Sequence, residues 1–100
     1  MLIYFKESVQ KWRERGNKLF KERKYELVVQ YYSLAMKYIP ETMENVQKMR
    51  AVLLSNRCAA YINLERYDKA KEDAERCVQV EPQWSKVRKG KVLCDVNVYN

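Results

Sequence analysis

Trp12-Arg13-Glu14-Arg15-Gly16-Asn17-Lys18-Leu19-Phe20 is the stretch whose reading decides the fold. Wound as a helix, it sets Trp12, Leu19 and the bare backbone of Gly16 on one side, and Arg13 with Asn17 together on a neighbouring side. Glycine inside a helix costs roughly 1 kcal/mol relative to alanine, so Gly16 implies a second helix crossing too close for a side chain. One face is therefore expected to pack and the other to be offered to a partner.

The residues before and after follow the same period. Phe5, Val9, Trp12, Leu19 and Phe20 mark a first helix running to about Arg23, and Lys24-Tyr25 makes a tight connection. The second helix carries two apolar stripes, Val28-Tyr32-Ala35-Ile39 and Leu27-Tyr31-Leu34-Tyr38, before Pro40 stops it. Apolar on two sides, it is expected to lie sandwiched between neighbours. A third helix, with Thr42 as candidate cap, carries Val46, Met49, Leu53, Leu54, Cys58, Tyr61, Ile62 and Leu64. Glu65-Arg66 turns the chain into a fourth, from near Tyr67-Asp68 through Ala70, Ala74, Cys77 and Val78 to Pro82. A fifth is expected from Trp84 to about Asn97.

Composition agrees with one small all-α domain over residues 1–100. Glycine and proline number two each, 47% of residues are apolar, and eight tyrosines with two tryptophans argue against disorder. Twenty basic residues against thirteen acidic ones leave +7, with no histidine, which favours an anionic partner. Cys58, Cys77 and Cys94 form no CxxC pair and are expected to be reduced, as in a cytoplasmic protein. No stretch approaches the roughly 20 apolar residues of a membrane span. No histidine-based nucleophile, phosphate loop or paired carboxylates suggest an enzyme, a metal site or a cofactor. Glu72, Asp73 and Glu75, alternating with Lys69, Lys71 and Arg76, are expected to form a solvated face.

The two halves repeat. Trp12, Gly16, Leu19, Tyr25, Val28, Ala35 and Pro40 recur, forty-two residues later, as Leu54, Cys58, Tyr61, Tyr67, Ala70, Cys77 and Pro82. This pattern resembles the tetratricopeptide repeat, whose period is about 34 residues. The resemblance implies antiparallel helix pairs stacked as a right-handed superhelix. One repeat would cover about 9–42, a junction insertion about 41–50, a second repeat about 51–84 and a capping helix about 84–97. The insertion is expected to lengthen the helices on either side by about two turns. Cys58 in place of a smaller residue and Ala74 in place of an aromatic depart from the family pattern as complementary changes of size.

In such stacks the first helices of successive pairs line a groove, here with Arg13 and Asn17, then Ser55, Asn56, Ala59 and Asn63, then Lys86 and its neighbours. Arg13-Glu14-Arg15-Gly16-Asn17 and Ser55-Asn56-Arg57 resemble the two asparagine motifs of the dicarboxylate-clamp branch of the family. That resemblance implies a co-chaperone or adaptor scaffold working through protein–protein interaction. Its partner would be the acidic Glu-Glu-Val-Asp C-terminus of cytosolic heat-shock chaperones, of the seventy- and ninety-kilodalton classes. It assigns peptide binding to Arg13, Asn17, Asn56 and Lys86, with Arg88 or Lys89 as the last member. In the family that last cation stands four residues beyond the fourth, whereas Arg88 follows Lys86 by two, and residues two apart on a helix diverge by about 200 degrees. Either Lys86 reaches in from the start of the helix, or Lys89 substitutes, or this half of the clamp is broken. Two further readings stay open: a scaffold for a different protein with a vestigial clamp, and a basic, aromatic surface for single-stranded nucleic acid. Two repeats fall below the usual minimum of about three, so self-association through the C-terminal helix is also expected.

Overall fold

The structure, a computed structural model, describes residues 2–80, with side chains from Glu7 onward. Four helices follow one another: α1 (Leu2–Lys21), α2 (Tyr25–Lys37), α3 (Val46–Asn63) and α4 (Tyr67–Val80). α1 packs on α2, α2 on α3 and α3 on α4, so the chain folds as two helical hairpins laid side by side. This is the all-α stack of helix pairs that the repeat pattern implies. The fifth helix falls outside the described residues.

The two hairpins are built by the same device. α1 ends in a turn where the Arg23 amide donates to the Phe20 carbonyl (3.0 Å) and the Lys24 amide to that of Leu19 (3.0 Å). Forty-two residues on, Glu65 donates to Ile62 (2.9 Å) and Arg66 to Tyr61 (2.8 Å). These paired bonds close the last helical carbonyls when one residue turns left-handed, and that residue is Arg23 (φ 62°) or Glu65 (φ 60°). Neither is glycine, the usual occupant, so the sequence carries no conspicuous stop signal at either turn.

Gly16 explains how closely the first hairpin closes. A Cβ placed there would lie 2.6 Å from Cε1 of Tyr32, whose ring is fully buried against the helix backbone. The expected close crossing is therefore present, and Val9, Leu19, Val28, Tyr32, Ala35 and Ile39 pack around it with Leu53 and Ala60 of α3. In the second hairpin, Cys58 and Ala74 stand where Gly16 and Tyr32 stand in the first, and both are buried in one cluster with Tyr61, Ile62 and Ala70. A larger residue on one helix meets a smaller one on its partner, so the pair keeps its packing.

Several expectations need correction. The second stripe of α2 is covered only in part: Leu27, Leu34 and Tyr38 are 40%, 37% and 39% exposed. The first stripe meets neighbours, Val29, Tyr31 and Met36 pack beside it, and the Tyr38 ring lies 5.5 Å from that of Trp12 on α1. The junction does not lengthen α2, which ends at Lys37, as a residue preceding proline disfavours helical geometry and Ile39 leaves the helix. Instead residues 38–45 turn, and Ile39, Met43, Val46 and Met49 pin the loop to the core. The cap of α3 is Asn45, left-handed at φ 59°, and Thr42 is exposed in the turn before it.

Asp73 is the largest departure from the solvated face expected of α4. It is 3% exposed, and both its carboxylate oxygens accept from Arg57 on α3, from Nε and Nη2, each at 2.7 Å. Arg57 Nη1 donates to Ser33 Oγ of α2 at 2.8 Å, so one guanidinium fastens three helices. Burial acts to lower the pKa of Arg57, but the hydrogen bonds and charge of Asp73 outweigh it and raise the value overall. Cys58, expected to be reduced, is disulfide-bonded. Cys77 is buried, and its Sγ donates to the Ala51 carbonyl at 3.1 Å.

Gly16→Ala gains helix propensity but drives a methyl into a ring that has nowhere to move. A net loss of about 1–2 kcal/mol is expected, seen as a fall of roughly 5–15 °C in the thermal midpoint by circular dichroism.

Candidate functional site

α1 carries Arg13, Asn17 and Lys21 at successive intervals of four, so the three share one face. The deep crossing at Gly16 brings Tyr32 of α2 under this face, and its hydroxyl emerges beside Asn17, donating to Oδ1 at 2.5 Å. Asn56, from α3, hydrogen-bonds the same hydroxyl. Side chains from three helices thus meet at one oxygen, which no single helix could arrange.

Above this meeting point lies a cavity of about 380 Å³ lined by Asn17, Phe20, Lys21, Tyr32 and Asn56. No acid lines it. Arg13 stands at its side, close enough that its charge acts on the Tyr32 hydroxyl. The Arg13 Nη1 lies 3.8 Å from Met49 Sδ, a weak sulfur contact, and its Nε is buried with no hydrogen-bond partner among the described residues. Two amides and two cations around an acid-free hollow can hold an acceptor-rich anion of carboxylate size through charge-assisted hydrogen bonds.

Burial pushes the pKa of Tyr32 above 10.0, although the Asn56 hydrogen bond and the Arg13 charge each act to lower it. The phenol is therefore a neutral donor at physiological pH.

Of the residues singled out by sequence, Asn17 and Asn56 line the cavity and Arg13 flanks it, whereas Lys86, Arg88 and Lys89 lie outside the described residues. Ser55 and Ala59 are half-buried and do not line it, and Asn63 is exposed, its Nδ2 donating back to the Ala59 carbonyl at 2.9 Å. Sequence reasoning missed Lys21, Phe20 and Tyr32. Lys21 is legible from its spacing, four residues beyond Asn17. Phe20 and Tyr32 read as packing residues from their helical spacing, and they put apolar surface at the centre of the cavity.

Two other cavities offer less. One of about 370 Å³ follows Glu65–Lys69 at the second hairpin turn and mixes both signs of charge. Another, of about 470 Å³, lies along α2 by Val29, Ser33 and Leu34. Among the described residues no cluster of His, Cys, Asp and Glu could hold a metal ion, and no helix is long and apolar enough to cross a membrane.

Comparison with known proteins places the chain beside a consistent set of relatives. No protein-family model matches it. It is 38% identical over 87 residues to a Plasmodium falciparum Hsp70-Hsp90 organising protein, covering 85% of this chain and 31% of that protein. To Hsp70-Hsp90 organizing protein 3 of Arabidopsis thaliana it is 37% identical over 90 residues, 88% of this chain and 15% of that one. To heat shock protein STI1 of Saccharomyces cerevisiae it is 30% identical over 79 residues, 79% and 12% of the two chains. The chain thus spans a third or less of the length of these curated relatives, and its similarity is to a segment of each.

The raised pKa of Tyr32 has a measurable consequence. Above pH 10 the unfolded chain ionises this phenol while the folded chain keeps it protonated, so stability falls as pH rises through that range. Denaturant unfolding between about pH 9.5 and 11 is expected to show a slope for the wild type steeper than that of Tyr32→Phe, by at most about 1.4 kcal/mol per pH unit.

Proposed function

We propose that the chain is a binding module that holds the acidic C-terminal peptide, of the Glu-Glu-Val-Asp type, of a heat-shock chaperone, and so serves as a cytoplasmic co-chaperone or adaptor. The observation that carries this reading is the meeting of Asn17 and Asn56, from separate helices, over the Tyr32 hydroxyl in a cavity that no acid lines among the described residues. A peptide ending in aspartate brings two carboxylates to one place. Arg13 places a positive charge beside the cavity for the first of them, and the amides offer N–H groups. The net charge of +7 draws an acidic tail toward the surface before any specific contact forms. Relatives named for organising Hsp70 and Hsp90 support a chaperone as the source of that tail.

In this reading Lys21 joins the grip from the open end of the cavity. Lys86, with Arg88 or Lys89, belongs to the same proposal as the cations that complete it from the C-terminal side. A second reading has a specific observation behind it: the exposed Leu27 and Leu34 on α2 suit a protein partner that needs no carboxylate. In that case the chain is a scaffold and the amide site is vestigial.

Titration of a fluorescent peptide ending in Glu-Glu-Val-Asp separates the two. Asn17→Ala is expected to weaken binding roughly ten- to hundredfold, the loss of about 1.5–3 kcal/mol that a hydrogen bond to a charged group supplies. Amidation of the peptide terminus is expected to weaken it as well. Equal affinity of wild type and variant, with no effect of amidation, contradicts the proposal.

A further inference from the structure

We propose that Tyr32 is a positioning residue: its buried hydroxyl, gripped between Asn17 and Asn56, turns the Asn17 amide so that its N–H donors face the cavity, which makes the site select a carboxylate over a neutral carboxamide. This rests on the reading of the cavity as an acidic-peptide site and adds the device that sets its selectivity.

The hydrogen-bond inventory drives the inference. A carboxamide has an oxygen that accepts and a nitrogen that donates, and nothing in its shape decides which end meets a ligand. At Asn17 the Tyr32 hydroxyl decides it, because that hydroxyl has one proton and gives it to Oδ1. With Oδ1 held on the protein side, the Nδ2 hydrogens of Asn17 are left for the cavity. The same phenolic oxygen, its proton committed, can only accept from Asn56. Asn56 N–H, Tyr32 O–H and Asn17 C=O therefore form a directed chain across three helices. Successive bonds in such a chain polarise one another, which sharpens the Asn17 N–H as a donor. A free C-terminal carboxylate only accepts and suits this donor, whereas an amide ligand presents its own N–H groups to it.

Packing alone does not account for the hydroxyl. The Tyr32 ring fills the space under Gly16, and phenylalanine would fill it equally. A hydroxyl buried here needs partners, and its partners are the two amides that line the cavity. Burial also keeps the phenol protonated, so the donor persists wherever the protein is folded at neutral pH.

Tyr32→Phe keeps the ring and removes the donor. Affinities for a Glu-Glu-Val-Asp peptide as free acid and as C-terminal amide are measured for wild type and variant, with thermal melts to verify folding. The wild type is expected to prefer the acid by about tenfold or more, and the variant to narrow that preference to about threefold or less. An unchanged preference in the folded variant overturns this inference and leaves the proposed function standing. A wild type that does not distinguish acid from amide overturns both. Should the variant fail to fold, the wild type decides by nuclear magnetic resonance. The Nδ2 hydrogens of Asn17 are expected to shift on saturation with the acid peptide, and signals that stay in place on binding overturn the inference.

Discussion

The contact between the Gly16 backbone and the Tyr32 ring is the constraint on which the rest of the molecule depends. With no Cβ on α1, the ring of α2 lies against the helix itself, and the apolar side chains flanking it close into one core with α3. The same approach lifts the Tyr32 hydroxyl to the level of Asn17. Packing and the proposed recognition are therefore two ends of one side chain. Moving the ring to relieve a crowded α1 would also move the atom that joins the two asparagines.

The second hairpin is held in a different way. Cys58 and Ala74 replace the glycine and the aromatic, so the helices meet over small side chains and leave room nearby for Arg57 to reach across to Asp73 and Ser33. A buried pair of this kind contributes little net stability compared with apolar packing, but breaking one partner strands a charge. Its effect is to fix α2, α3 and α4 in one register. Surface pairs such as Arg66–Glu26 and Arg50–Glu41 are exposed and add little.

Much of the fold was legible in the sequence because helical spacing and the forty-two-residue recurrence are local signals. Trp12, Gly16 and Leu19 announced the crossing, and the starts of α2 and α4 at Tyr25 and Tyr67 lay where the recurrence put them. The ends were harder to read, since Arg23 and Glu65 take left-handed geometry that their residue types do not advertise. Asp73 was misread because a charged residue among charged neighbours looks solvated until its partner, sixteen residues away, is placed. For the site, Arg13, Asn17 and Asn56 stood out by motif. Tyr32 could not, because a tyrosine on a packing stripe gives no sign of where its hydroxyl emerges.

The measurement that tests the account most directly is a structure of the chain bound to a peptide ending in Glu-Glu-Val-Asp. The account predicts the terminal carboxylate in the cavity between α1 and α3, with oxygens about 2.8–3.0 Å from Asn17 Nδ2 and within reach of Arg13 and Asn56. A peptide seated instead along Leu27, Leu34 and Tyr38 on the outer face of α2, with the cavity empty, contradicts it.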